Sequence, residues 1–175
     1  DDPRVSYPLY SLREAARHLG VAPSTLYRWA HPGARRVAPL ITTITAEGTR
    51  ASLPFLGFAE AFVIKAALDA GVPHWRIRPG VEVIKREFGI EYALAHKRVY
   101  TDGAEILLAT LDDENLTVAR NRQKQLTRAV QDQLKLIAFA GDGFAERLRL
   151  PRFRARVIVD PQIAAGAPVL EHGGA

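Results

Sequence analysis

Ser24, Thr25, Tyr27 and Arg28 place two hydroxyls, a phenol and a guanidinium within five positions of the chain. On a helix, such a set offers short hydrogen-bonding groups near the N-terminus with a fork behind them that matches the O6 and N7 acceptors of guanine. Arg28 is the candidate for that bidentate contact, and Ser24 and Thr25 are candidates for a phosphate or a base edge. Arg35, Arg36 and Arg50 lie farther along. They are candidates for phosphate contacts, which hold a protein on a duplex without reading its sequence.

These side chains need a scaffold, and the flanking residues encode one. Ser11 followed by Glu14 has the spacing of a capping box, so a helix is expected to begin at Leu12. Gly20 supplies the left-handed residue that ends it, and Pro23 suits the first turn of a second helix. Two short helices joined by a turn of about three residues have the spacing of the helix-turn-helix. Ala15, Leu19, Val21, Leu26 and Trp29 fall where the two helices meet, and Ala16 is small where they approach. The simpler reading is an αα-hairpin with no nucleic-acid role. Beyond His31-Pro32-Gly33, the runs Leu40 to Thr45 and Thr49 to Leu53 flank a turn at Ala46-Glu47-Gly48. They predict a hairpin placed as a wing along the phosphate backbone, or else a plain connecting loop.

The charge distribution has the same sense. The net charge is +5, but residues 1–36 carry +3, 37–116 carry −3, 117–156 carry +7 and 157–175 carry −2. Two basic regions around an acidic middle fit an anionic polymer as partner. Arginine outnumbers lysine nineteen to five, so coding bias accounts for the excess equally well. The chain has no cysteine and no methionine. Thiolate zinc sites, disulfides and cysteine nucleophiles are therefore excluded. The start at Asp1 points to a fragment of a longer product. No signal peptide or membrane-spanning run is legible, so a cytoplasmic protein with no membrane partner is expected.

A long helix is expected after Pro54, with Phe58, Phe62, Val63, Ala66 and Ala70 on one stripe. Gly71 and Pro73 stop it. Val81, Ile84 and Phe88 form a second stripe ended by Gly89. Val99-Tyr100, the turn Asp102-Gly103 and Ile106 to Leu108 predict a hairpin. From about Thr117 a basic amphipathic helix should carry Leu126, Val130, Leu134 and Ile137. After Gly141-Asp142-Gly143, the alternation of Arg152, Arg154 and Arg156 with Phe153, Ala155 and Val157 predicts a half-buried strand. No phosphate loop, zinc-protease motif or nucleophile elbow is present, and His18, His31, His74, His96 and His172 are scattered. Asp112-Asp113-Glu114 reads as a solvated turn, because three consecutive acids cannot converge on one ion. No catalytic residue, metal site or cofactor is assigned, and the chain is not expected to be an enzyme.

The residues LYRW at the end of the second helix, AEAFVIKAALDAGVP after the wing and IRPGVEVIKREFGI beyond it resemble the MerR-like helix-turn-helix group. The absence of cysteine argues against a metal sensor. A second resemblance lies in VIVDPQIAAGAPVL, which is similar to the opening of a small domain marked by Asp-Pro and Gly-x-Pro-Val. In that family a further helical unit follows, and here it is expected to be missing or not included. Together with YTDGAEIL, these features resemble VapB-type antitoxins of toxin-antitoxin modules.

The resemblance implies an α+β chain in three parts. Residues 1–95 would be a MerR-like winged helix-turn-helix. Residues 96–156 would hold a hairpin, the basic helix and strands, and 157–175 the opening of a truncated C-terminal domain. It also implies a homodimer that binds double-stranded operator DNA, represses its own operon and neutralises a PIN-domain ribonuclease toxin. The alternative is a MerR-like transcriptional regulator unlinked to any toxin. Arg147, Arg149, Arg152, Arg154 and Arg156 are candidate toxin contacts, or else a solvated face or second phosphate patch. The dimer seam would be either Phe58, Phe62, Val63 and Ala66 or Leu126, Val130 and Leu134.

Overall fold

Local signals near the N-terminus set the first elements. In the computed structural model, which describes residues 2–33, 37–45, 50–103, 105–106 and 116–171, α1 (Pro3–Ser6) is a single turn. Asp2 caps it by accepting from the Arg4 backbone N–H. The strand β1 (Tyr10–Ser11) leads into α2 (Leu12–Leu19), which opens with the predicted capping box. The Ser11 hydroxyl oxygen accepts from the Glu14 backbone N–H, and the Glu14 carboxylate accepts from the Ser11 backbone N–H. Gly20, at φ 71°, closes α2, and Pro23 begins α3 (Pro23–Ala30).

The expected wing is present in its stem. Ile44 and Ser52 exchange backbone hydrogen bonds of 2.9 and 2.8 Å, and β2 (Ser52–Leu53) pairs antiparallel with β1. The turn predicted at residues 46–48, together with Thr49, Arg35 and Arg36, lies outside the described residues. Leu40 and Ile41 are buried rather than paired as a strand.

Twelve of the fifteen residues of α4 (Phe55–Asp69) are buried, so it is the central helix. A helix apolar on nearly every side must be covered on nearly every side. Its neighbours are α1, α2, α5 (His74–Phe88), a short turn at Ala93–Ala95, α6 (Leu116–Leu134) and the C-terminal sheet. That sheet is antiparallel, in the order β3 (Ile137–Phe139), β4 (Ala145–Leu150), β5 (Val157–Val159) and β6 (Val169–Leu170). The Asp-Pro and Gly-x-Pro-Val stretch thus supplies its last two strands.

Four expectations change. Val99–Gly103 is one turn of π-helix, not half of a hairpin, and Glu105–Ile106 are helical, while Leu107 and Leu108 lie outside the described residues. The turn buries Val99 and sets Gly103 against Val99 and Ile84. Ile137 opens β3 rather than ending the helix. Residues 151–156 form an exposed loop instead of a strand, because Pro151 cannot donate to a ladder and Phe153 meets no inner face. Finally, Phe58, Phe62, Val63 and Ala66, like Val130 and Leu134, are buried within the chain, and the half-buried Leu126 packs on the same core, so neither stripe is offered whole as a dimer seam. Among the described residues, no helix is long and apolar enough to cross a membrane, and no cluster of His, Cys, Asp or Glu is placed to hold a metal.

Candidate nucleic-acid interface

The pairing of α2 with α3 is built on Ala15, Ala16, Leu19, Leu26 and Trp29, all buried. Trp29 also anchors the chain that leaves α3, since its carbonyl accepts from the Leu40 backbone N–H at 2.8 Å. With this face committed to the core, the opposite face of α3 is turned to solvent. Ser24, Tyr27 and Arg28 are exposed and Thr25 is half-buried. Helical periodicity puts Ser24, Tyr27, Arg28 and His31 on one side. The Tyr27 ring stacks on His31 with centroids 4.5 Å apart and planes at 25°. That stack forms an aromatic surface on the same exposed side of α3 as Arg28.

Between this face and the wing lies a concavity of about 600 Å³, lined by Arg13, Pro23, Tyr27, His31, Arg50 and Ala51 among others. The structure thus brings Tyr27 and Arg50 together, with Arg13 as a further cation. Sequence reasoning missed Arg13 and His31. Arg13 is exposed in the first turn of α2, and the first helix of this motif is the one that crosses the DNA backbone, so position alone could have identified it.

The wing stem is held from behind. The Thr42 backbone N–H donates to the Glu60 carboxylate at 2.7 Å, Arg78 donates to the Ala38 carbonyl at 2.9 Å, and Lys85 donates to the Pro39 carbonyl at 3.2 Å. Gly57 lies so close that an added Cβ would sit 2.2 Å from the Thr42 carbonyl oxygen. Glu60 is wholly buried, and that burial pushes its carboxyl above the usual carboxylate range, against the pull of Lys85 and the Thr42 bond.

The five C-terminal arginines do not form one free cluster. Arg147 donates to Asp160 through both Nε and Nη2 at 3.0 Å. Arg152 reaches back to the helix-turn-helix, donating to the Arg17 carbonyl in the last turn of α2 beside Gly20. Arg156 lies 3.9 Å from Glu171. Arg149 and Arg154 are exposed and make no ion pair among the described residues. The same end of the molecule is tied to the first strand by Tyr10. Its hydroxyl donates to the Gly166 carbonyl, and its ring packs on His18 and Phe58 at 4.8 and 5.0 Å.

A buried helix pair, an outward polar helix face and a paired wing stem define a helix-turn-helix protein. Residues 8–81 match the family described as "Putative DNA-binding HTH domain". A curated relative, "Putative antitoxin VapB45" of Mycobacterium tuberculosis (strain ATCC 25618 / H37Rv), is 38% identical over 192 residues, spanning 98% of this chain and 80% of the relative. The X-ray crystal structure of Rv2018 from Mycobacterium tuberculosis matches with a TM-score of 0.73 at 34% identity, covering 95% of this chain and 80% of that one. The chain belongs to the VapB-type antitoxin family.

Proposed function

We propose that this chain is a non-enzymatic antitoxin that binds operator DNA as a homodimer, represses its own operon and neutralises a PIN-domain ribonuclease toxin. The observation that carries the DNA half is the outward face of α3, where Ser24, Tyr27 and Arg28 are exposed while Leu26 and Trp29 are buried. In this reading α3 enters the major groove, as in a winged helix-turn-helix of MerR-like type. Arg28 reads a guanine, and Ser24 and Thr25 meet phosphate or a base edge. Arg13, Arg35, Arg36 and Arg50 contact the phosphate backbone. One recognition helix covers a half-site, so a symmetric operator calls for two copies.

The toxin half rests on the family and on Arg149 and Arg154. A PIN-type site gathers carboxylates, to which unpaired arginines are attracted. Arg147 and Arg152 already tie parts of the chain together and are assigned to structure, and Arg156, exposed and 3.9 Å from Glu171, is the weaker candidate. The test is a titration of the full chain with DNA from upstream of its own operon, in parallel with rescue of cells expressing the adjacent reading frame. Selective binding with rescue supports the proposal. Binding without rescue would leave a transcriptional regulator unlinked to a toxin, and no selective binding would refute the assignment of α3.

A further inference from the structure

The strand β3 is the outer strand of its sheet, with β4 on one side and no strand on the other among the described residues. In an antiparallel ladder alternate residues turn their backbone groups toward and away from the neighbour. Arg149 N–H donates to the Leu136 carbonyl and Ala140 N–H to the Phe144 carbonyl. With Ile137 opposite Leu148 and Phe139 opposite Ala145, the N–H and C=O groups of Ile137 and Phe139 face away from β4. Both residues also line a groove of about 470 Å³, together with Leu134, Tyr100 and the cations Lys97, Arg98 and Lys135. Among the described residues, no carboxylate lines it. Arg98 and Lys135 have side-chain partners in Asp102 at 3.6 Å and Asp132 at 2.6 Å, both on exposed surface. Such pairs are weak and exchange readily for another anion.

We propose that the outer edge of β3 accepts an added strand from a partner protein, an extended segment whose alternate side chains are apolar and acidic. Main-chain hydrogen bonds to Ile137 and Phe139 would supply the register, and apolar side chains would fill the groove over Phe139 and Tyr100. Acidic side chains would meet Lys97 and Lys135. Charge decides against a second copy of this chain as occupant, because pairing β3 with itself would set the same lysines against one another.

The probe is a fluorescein-labelled eight-residue peptide alternating valine and glutamate, with a valine-lysine peptide as control, titrated into the full chain at low salt by anisotropy. The expected result is saturable binding of the acidic peptide alone, weakened about tenfold by Lys97→Glu with Lys135→Glu. The charge-neutral pair Lys97→Gln and Lys135→Gln should give an intermediate loss, and unchanged unfolding midpoints would show that both variants fold. Amide exchange followed by NMR reads the edge itself. Ile137 and Phe139 should exchange fast in the free chain and slowly with peptide. Protection already present in the free chain, equal binding of the basic peptide, or wild-type affinity in the charge-reversed variant would each overturn the proposal.

Discussion

Under the proposed function, sequence discrimination would turn on Arg28, because it is the one guanidinium on the exposed face of α3. Removing a bidentate guanine contact costs about 1 to 3 kcal/mol and relaxes preference at one base pair. Arg28→Ala should therefore lower operator affinity selectively, whereas Arg50→Ala should weaken all duplexes alike and flatten the salt dependence. Unchanged selectivity in a binding titration of Arg28→Ala would remove it from the readout.

Glu60 makes a different prediction at the same scale. Its carboxyl is raised above the ordinary value of 4.5 by burial. As pH climbs from that value, the unfolded chain ionises before the folded one and stability falls. Glu60→Gln lacks this loss but keeps an acceptor for Thr42. The advantage of the variant over wild type in urea unfolding should thus widen from pH 4.5 toward neutrality, and a constant difference would mean the carboxyl costs nothing. His18 and His96 act with the opposite sign. Burial holds both below 6.5, so in either protein stability declines as pH drops under that value. Because they are common to both proteins, their effect cancels in the comparison.

At the scale of elements, what the sequence made legible was whatever closes locally. The Ser11 and Glu14 box, Gly20, Pro23 and the burial of Leu26 and Trp29 are decided within a few residues, and all appear as read. What escaped depends on distant partners. The alternation around Arg152 resembles a strand, but Pro151 ends β4 and the loop instead crosses to α2. Asp102-Gly103 resembles a hairpin turn, but Gly103 does not take the positive φ that a tight primed turn needs. Arg13 lay outside a reading centred on the second helix.

The docking of Arg152 has a measurable consequence. A cation bound to the last carbonyls of a helix opposes the negative end of its dipole. Arg152→Ala should lower stability by about 0.5 to 1.5 kcal/mol, the net value of one such hydrogen bond. Ser11→Ala should cost about 1 kcal/mol at the other end of α2. The matched control is Arg154→Ala, at an exposed arginine two residues from Arg152 in the same loop. If urea unfolding finds Arg152→Ala and Arg154→Ala equally stable, the contact with Arg17 contributes nothing.

At the scale of the whole molecule, the helix-turn-helix does not own its core. One cluster of buried side chains runs from Tyr10 to Val159, and α4 takes cover from both halves of the sequence. The second half contributes Val130, Leu134, Leu148 and Leu150, each 1% exposed or less. Burying a side chain of this size is worth about 1.5 to 3 kcal/mol. Losing the four would forfeit roughly 6 to 12 kcal/mol, comparable to the roughly 5 to 15 kcal/mol that stabilises a domain. A chain cut after Glu114 would also lose the Tyr10 bond to Gly166 and the Arg152 bond to Arg17. Such a fragment should show no cooperative unfolding transition and no operator binding, so it cannot separate DNA readout from toxin neutralisation. Surface substitutions in the full chain can. Arg149→Glu with Arg154→Glu touches neither the core nor an ion pair among the described residues, and should leave the unfolding midpoint and operator affinity near wild type while abolishing rescue of toxin-expressing cells. A cut chain that binds operator as the whole does would make the N-terminal part autonomous. Intact rescue by the double variant would move the toxin contact away from these two arginines.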